Sequence, residues 1–345
     1  MLLRTKAFSE ARQKILDARE IVVAGHVSPD GDCIGSLLAL GLGIESLGKR
    51  VHMVSSDGVP KLYRFLPGAD RVVTATRIEP DLAIALDCGS RELLGRASEI
   101  FTKATCTLEI DHHEFRRPFA DISVVDPGAA AVGELVYRLL EELEVPLTRE
   151  IGQSILTSLL VETNSFRLSN VTPFTFQLCV RLAKAGVDFS WLAEKLFWSR
   201  DKETVVLSGL CLSRCRFLKK GRIAWSIVRK QDYVTLGAGP EHVHTVPMDM
   251  ISIRDVQIAV FFKEKDNRLI RVSLRSRAQI NIASLAERYG GGGHFDAAGC
   301  EIPNDKDAME DLLTAVGDLL RSNVKRLAPR REKRPATKKN MTRSG

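Results

Sequence analysis

Imidazole and carboxylate side chains recur in this sequence directly after short apolar segments. The segments are EIVVAG, DLAIALD and CTLEID. The residues that end or follow them are His26, Asp30, Asp32, Asp87, Asp111, His112 and His113. This ligand set requires no thiolate, which favours Mn²⁺ over a structural Zn²⁺, and it also suits Mg²⁺ or Co²⁺.

The spacing of the carboxylates predicts a site for two ions. Asp30 and Asp32 are two positions apart, so their side chains can diverge towards different ions. Asp87 ends its segment and can bridge both. Two divalent ions about 3.5–4 Å apart can activate a water molecule and stabilise charge on phosphoryl oxygens. The pattern therefore indicates a two-metal phosphoesterase.

Strands of a parallel sheet would bring these distant residues together. The expected strands are residues 20–25, 50–56, 81–87, 106–111 and 123–126. They alternate with amphipathic helical stretches, as in a doubly wound α/β domain. Neighbouring carboxyl ends of such strands open onto one crevice. We expect a helix from about Gly35 to Leu47, which leaves Asp30 and Asp32 in a loop.

The second half of the chain predicts a smaller α/β domain with a mixed sheet. Its expected strands are residues 223–229, 255–264, 269–276 and 297–302, followed by a helix to about residue 321. The expected organisation is a catalytic domain (1–185), a helical connector (186–215), a substrate-binding domain (216–322) and a basic disordered tail (323–345).

Composition indicates a cytoplasmic protein. Of the 345 residues, 44% are hydrophobic and 27% charged, and no apolar run approaches the length of a membrane span. The N-terminus lacks the continuous apolar stretch of a signal peptide. The seven cysteines contain no CxxC pair, so we expect no disulfide framework.

The net charge of +7 is concentrated in the tail. Residues 321–345 contain ten Lys and Arg and one Glu, so the remainder carries 7 − 9 = −2. Such a tail allows weak contact with RNA or another polyanion, and a merely solvated terminus is the alternative.

Longer motifs in the sequence resemble those of a known family. The segments HVSPDGDCIGS, ALDCGS, DHH, VDPGAAAVGELVYRLL and ETNSFRLSNVTP occur in the order seen in the DHH phosphoesterases. VSLRSR and GGGGHFDAAGCEI resemble the DHHA1 substrate-binding domain. The resemblance covers about residues 15–320, nearly everything but the tail.

The family resemblance implies two metal-ligand sets that share one residue. They are His26, Asp30 and Asp87, and Asp32, Asp87, His112 and Glu162. His113 would lie beside the reacting phosphate as a donor or acid, and Asp111 would orient the histidine pair.

One position departs from the family pattern. Where the family usually has Asp-Thr-Gly, this chain has Glu162-Thr163-Asn164. Glutamate keeps the charge but adds a methylene, and asparagine is among the few residues that tolerate a positive φ. We interpret Glu162 as a metal ligand, with a supporting or structural role as the alternative.

Substrate-binding residues are expected in the second domain: Arg275, Ser276, Gly291, Gly292, Gly293 and His294. Backbone N–H groups of a glycine run can approach an anion closely. Arg275 and His294 can add charge-assisted hydrogen bonds to a phosphate.

Within the family, the chain resembles the stand-alone nanoRNases that also dephosphorylate 3′-phosphoadenosine 5′-phosphate (pAp). This implies exonucleolytic hydrolysis of very short RNAs. Two alternatives stay open: a soluble phosphodiesterase for cyclic di-AMP or pApA, and a non-catalytic nucleotide- or RNA-binding relative. The sequence also leaves a homodimer open.

Overall fold

The computed structural model describes residues 6–114, 116–277, 280–293 and 295–327. His294 and residues 328–345 lie outside this described part, so the expectations for that histidine and for most of the basic tail stay predictions. The chain divides into two compact units between Arg200 and Asp201.

The first unit is built on a five-stranded parallel sheet. Its strands are β1 (Glu20–Gly25), β2 (Arg50–Val54), β3 (Leu82–Leu86), β4 (Cys106–Asp111) and β5 (Ile122–Val125). Its helices are α1 (Lys6–Asp17), α2 (Gly31–Ser46), α3 (Ser98–Lys103), α4 (Val132–Glu142), α5 (Arg149–Glu162), α6 (Pro173–Lys184) and α7 (Phe189–Phe197). The strand order is β2-β1-β3-β4-β5, and every pairing is parallel.

Both faces of this sheet are buried, as continuous apolar strands predict. Ile21 and Val23 of β1 pack in a core with α1, α2, α4 and α5. Val22 and Ala24 of the same strand face a second cluster that includes Ile100 and Phe101. The doubly wound α/β prediction is therefore confirmed.

Helix α2 begins earlier than the sequence predicts. It starts at Gly31 rather than near Gly35, because the Asp30 carboxylate accepts hydrogen bonds from the backbone N–H groups of Asp32 and Cys33. This is an N-terminal cap. Asp32 consequently lies in the first helical turn and not in a loop.

The second unit contains a six-stranded mixed sheet. Its strands are β6 (Arg216–Leu218), β7 (Ile223–Val228), β8 (Ile258–Glu264), β9 (Leu269–Ser276), β10 (Gly292–Gly293) and β11 (Ala297–Pro303). Its helices are α8 (Lys202–Ser213), α9 (Lys230–Leu236), α10 (Val246–Ser252), α11 (Ala283–Arg288) and α12 (Lys306–Leu327). The order is β10-β11-β9-β8-β7-β6, in which only β7 and β8 pair in parallel.

The sequence analysis missed four elements of this unit: β6, α9, α10 and β10. All are short, so neither a strand nor a helix period can establish itself in them. The predicted connector comprises α7 and α8, which belong to different units. Within the described part of the chain, no helix has the length and apolarity to cross a membrane.

Candidate metal centre

The strand order places the candidate residues at one point of the first sheet. The order reverses between β1 and β3, and such a switch point opens a crevice at the carboxyl ends of the strands. His26 follows β1 and Asp87 follows β3, while Asp111 ends the adjacent β4. The Nε2 atom of His26 lies 3.5 Å from Oδ2 of Asp87 and 3.9 Å from Oδ1 of Asp30.

In two of the three histidines, His26 and His112, the Nδ1 atom contacts a backbone carbonyl oxygen. Nδ1 of His26 lies 2.8 Å from the carbonyl oxygen of Val27, and Nδ1 of His112 lies 3.1 Å from that of Ala129. A carbonyl only accepts, so Nδ1 carries the proton in both rings. Each Nε2 is thereby directed to the acidic cluster with a lone pair in the neutral ring, the tautomer that metal-binding histidines commonly adopt.

His112 reaches carboxylates from three different elements. Its Nε2 atom lies 3.7 Å from Oδ2 of Asp32, 3.9 Å from Oδ1 of Asp87 and 3.8 Å from Oε1 of Glu162. The imidazole is thus the meeting point of α2, the end of β3 and the end of α5.

Asp32 is fully buried and is held by four donors. Its Oδ1 accepts from the hydroxyls of Ser36 at 3.0 Å and Ser158 at 2.6 Å, and from the N–H of Gly133 at 3.3 Å. Its Oδ2 accepts from the N–H of Val132 at 2.9 Å. The last two donors are the first N–H groups of α4, whose positive helix end favours an anion.

Asp87 has an unusual backbone and an unsatisfied oxygen. Its φ is +58°, a left-handed conformation that is costly for a residue with a side chain. It is almost fully buried, and among the described residues its Oδ1 has no hydrogen-bond partner. Strain and an orphaned acceptor in the same buried carboxylate indicate a position selected for ligand binding rather than for stability.

Asp111 supports the histidine pair from behind. Its Oδ1 accepts from the backbone N–H groups of His112 at 2.8 Å and His113 at 3.2 Å, and lies 2.6 Å from Nδ1 of His113. Arg116 pairs with Glu109, and its Nε lies 3.8 Å from Oδ2 of Asp111.

The charges of the cluster shift its protonation equilibria. Burial, reinforced by the charge of Asp87, raises the pKa of Asp32 to about 7, and burial likewise raises that of Asp30. Burial also raises the pKa of Asp87, but the hydrogen bond from His26 and the charge of His112 outweigh it, so the net pKa is low.

The pKa values of the His112 and His113 imidazoles are raised, although burial by itself lowers them. Burial lowers the pKa of His112, whereas the charges of Asp32 and Asp87 raise it by more. For His113, the hydrogen bond to Asp111 leads the effects that overcome burial. Without a metal, the site therefore retains protons that a cation would displace.

The donor set fits divalent metal ions. Three groups have ligand atoms that all lie within 4.8 Å of one another: His26, Asp30 and Asp87; Asp32, His112 and Glu162; and Asp87, His112 and His113. The Nε2 atoms of His26 and His112 face the carboxylates of the cluster. Among the described residues, the buried Oδ1 of Asp87 has no hydrogen-bond partner. A divalent cation would supply positive charge to this buried carboxylate cluster.

The departure at Glu162 is accommodated at the end of α5. Glu162 is the last helical residue, and the chain then turns through positive φ values at Asn164 (+46°), Ser165 and Phe166. Asn164 thus uses the tolerance that the sequence predicts. The side chain of Asn170 donates to the carbonyl oxygens of Ala130 and Glu162, which ties this turn to the loop before α4.

The expected substrate-binding residues lie in the second unit. Arg275 and Ser276 end β9, and Ser276 is buried and donates to the carbonyl of Ile280. The Gly291 N–H donates to the carbonyl of Ala286, and a Cβ there would lie 2.0 Å from the Gly299 oxygen. Gly292 and Gly293 form the edge strand β10 against β11. The N–H of Gly291 is therefore engaged in this conformation.

Sequence reasoning missed several supporting residues. They are Glu109, Arg116, Ser158, Asn170 and the N-terminal N–H groups of α4. Only Glu109 gave a local signal, as a charged residue inside an apolar strand. The others act across contacts that no local pattern specifies.

Comparisons with known proteins agree with this arrangement. Residues 20–161 match the model of the DHH family, N-terminal domain, and residues 231–322 match the DHHA1 domain. A bifunctional oligoribonuclease and PAP phosphatase NrnA from Thermus thermophilus is 32% identical over 305 residues, covering 87% of this chain and 90% of that protein.

Two solved structures share the fold. An exopolyphosphatase-related protein from Bacteroides fragilis has a TM-score of 0.83 at 24% identity and covers 92% of this chain and 96% of its own. RecJ from Thermus thermophilus in complex with Mn²⁺ has a TM-score of 0.53 at 15% identity, over 94% of this chain and 56% of its own.

Fold and site define the class of protein, a hydrolase that acts on phosphate esters. More particularly, the chain belongs to the DHH family of phosphoesterases and carries the DHHA1 domain in its second half.

Proposed function

We propose that this protein hydrolyses short oligoribonucleotides and pAp at a centre that holds two divalent ions, with Mn²⁺ preferred. The observation that carries the proposal is the shared position of Asp87. Its carboxylate lies near both His26 and His112 and has a buried oxygen without a hydrogen-bond partner among the described residues. The name of the Thermus relative supports the substrates, and the manganese complex of RecJ supports the ion.

The proposed ligands divide into two sets. One ion is held by His26, Asp30 and Asp87, and the other by Asp32, Asp87, His112 and Glu162. When bound, two such ions lower the pKa of a water molecule and neutralise charge on phosphoryl oxygens.

The protein's own proton donor in this proposal is His113. Asp111 keeps Nδ1 of that ring protonated and raises its pKa, so the imidazolium form persists towards neutral pH. It then donates a hydrogen bond or a proton to the reacting phosphate through Nε2. Asp111 is a positioning residue because it acts only through the ring.

The proposed division of labour follows the two domains. Residues 1–185 carry the metal centre, 186–215 connect, and 216–322 bind the substrate through Arg275, Ser276, Gly291, Gly292, Gly293 and His294. The tail, residues 323–345, adds weak contact with a polyanion.

The test is Mn²⁺-dependent turnover of a panel by the wild type, His112→Ala and His52→Ala. The panel contains pAp, a 5′-phosphorylated RNA dinucleotide, a 24-mer RNA, cyclic di-AMP and pyrophosphate. His52 is a matched control because it lies on β2 and contacts Glu20, away from the centre. We expect rapid loss of pAp and dinucleotide, abolished by His112→Ala and retained by His52→Ala.

Other outcomes would replace the proposal. Preference for cyclic di-AMP would make the chain a cyclic dinucleotide phosphodiesterase. Tight nucleotide binding with no turnover and at most one bound ion would make it a non-catalytic relative.

A further inference from the structure

The two faces of the second sheet are covered differently. Helices α11 and α12 pack on one face, around Val260 and Phe262 of β8. On the other face, α8, α9 and α10 pack against Ala259 and Phe261 of the same strand. Among the described residues, the core on this second face includes none from β9 or β11. Helix α10 also contacts β9. On this face of β9, Arg271 is exposed, whereas Ser273 and Arg275 are half-buried.

Three cations lie together on this second face. Lys263 of β8 stands directly opposite Arg271 of β9, and Arg275 lies four residues along β9 on the same side. Like charges directly opposite each other destabilise a sheet. Burial, together with the charges of Arg271 and Arg275, lowers the pKa of Lys263 to about 8. Mutual repulsion of these three cations therefore lowers the stability of the folded sheet.

The positive charges of Lys263 and Arg271 are not neutralised by carboxylates of the described residues. Among the described residues, neither Lys263 nor Arg271 forms an ion pair with a carboxylate. Glu301 of β11 is paired in register with Arg271, but its carboxylate contacts Lys265 at 3.0 Å. The carboxylate in register with Arg271 is thus already paired with Lys265.

The side chains that lie between and beside the three cations are small. Ser273 lies between Arg271 and Arg275 on this face, and its register partner in β11 is Gly299. Ala297 stands opposite Arg275. Small side chains in β11 leave room for a ligand to lie across the strands, and the Ser273 hydroxyl can donate to it.

We propose that Lys263 and Arg271 extend the site at Arg275 into a track for the phosphates of a single-stranded oligonucleotide. The inference rests on the proposed function, because it assumes a nucleotide chain as substrate. Arg271 and Arg275 are four strand residues apart, about 13 Å. Several consecutive phosphates can occupy this length, whereas a single nucleotide cannot engage both ends.

The experiment compares a chain with a mononucleotide in the full-length protein. The variant is Lys263→Gln with Arg271→Gln, and the matched control is Lys306→Gln with Arg321→Gln on α12, which packs on the other face. We expect kcat/KM for a 5′-phosphorylated RNA pentanucleotide to fall about tenfold in the variant. For pAp, the change should stay within about twofold, and the control should resemble the wild type for both.

A second measurement uses binding without hydrolysis. In EDTA, the slope of log affinity for the pentanucleotide against log salt should become shallower by about 1.4, since two phosphate contacts are lost. Equal loss for both substrates, an unchanged slope or an equal effect of the control would overturn the track. Failure of the wild type to hydrolyse either substrate would overturn the proposed function, while the salt slope would still decide the track.

Discussion

Glu162 is the member of the second proposed ligand set that departs from the family pattern. Its carboxylate reaches to 3.8 Å from Nε2 of His112 from the last turn of α5. The position of the carboxylate is set by the helix, because α5 packs closely against α2. From this backbone position the glutamate side chain is long enough to bring its carboxylate close to His112.

Substitution of Glu162 should remove one ion. Glu162→Gln removes the charge, and Glu162→Asp withdraws the carboxylate by about 1.5 Å. We expect both variants to bind one Mn²⁺ per chain instead of two, with affinity at the affected site reduced about 10- to 100-fold. Metal content after dialysis and titration calorimetry measure this.

The matched control is Glu150→Gln, an exposed residue in the first turn of the same helix. It should keep both ions. Two ions retained in both Glu162 variants would show that this carboxylate is not a ligand.

At the scale of elements, the contact between α2 and α5 positions the centre. Gly35 allows this contact: a Cβ there would lie 2.4 Å from the carbonyl oxygen of Ser154 and 2.9 Å from the N of Ser158. The same contact brings the Ser158 hydroxyl to Asp32. The packing of α2 against α5 therefore also fixes the position of the Asp32 carboxylate.

Gly35→Ala should disturb stability and metal binding together. The added methyl must push α2 from α5, so we expect the free energy of unfolding to fall by about 1–3 kcal/mol. Mn²⁺ affinity should fall as well, because Asp32 moves with α2. Denaturant unfolding and calorimetry measure the two effects.

Gly209→Ala is the control for this substitution. A Cβ at Gly209 in α8 would have no atom within 4 Å, so alanine should stabilise the helix by up to about 1 kcal/mol. Normal stability of Gly35→Ala would argue against the close packing of α2 and α5.

At the scale of the whole molecule, the shifted pKa values of the candidate centre make the stability depend on pH. The folded metal-free state has raised pKa values at Asp30, Asp32, His112 and His113. It therefore binds more protons than the unfolded chain, and its stability falls as pH rises. The low pKa of Asp87 acts oppositely, but only below its ordinary value of 3.8.

The melting temperature of the metal-free protein should fall between about pH 5 and about pH 8, across the pKa of Asp32 at about 7. Mn²⁺ displaces these protons, so the stabilisation that it adds should grow with pH. Scanning calorimetry at several pH values, in EDTA and in Mn²⁺, measures both melting temperatures. A metal-free melting temperature that rises over this range would contradict the protonation states described.

Much of this molecule was accessible from local patterns. Apolar strands alternating with helical stretches, together with the motif order, predicted the α/β fold and the family, which are confirmed. Parallel strands must also align their carboxyl ends, so His26, Asp87 and His112 could be expected together. Their roles as ligands stay predictions.

Only the tertiary structure decided how the centre is held. Asp32 accepts hydrogen bonds from Val132 and Ser158, more than 90 positions away in the chain. The left-handed φ of Asp87 and the Nδ1 partners of His26 and His112 depend on backbone geometry rather than residue type. A sequence pattern reports the period of one element, whereas these features arise where separately folded elements meet.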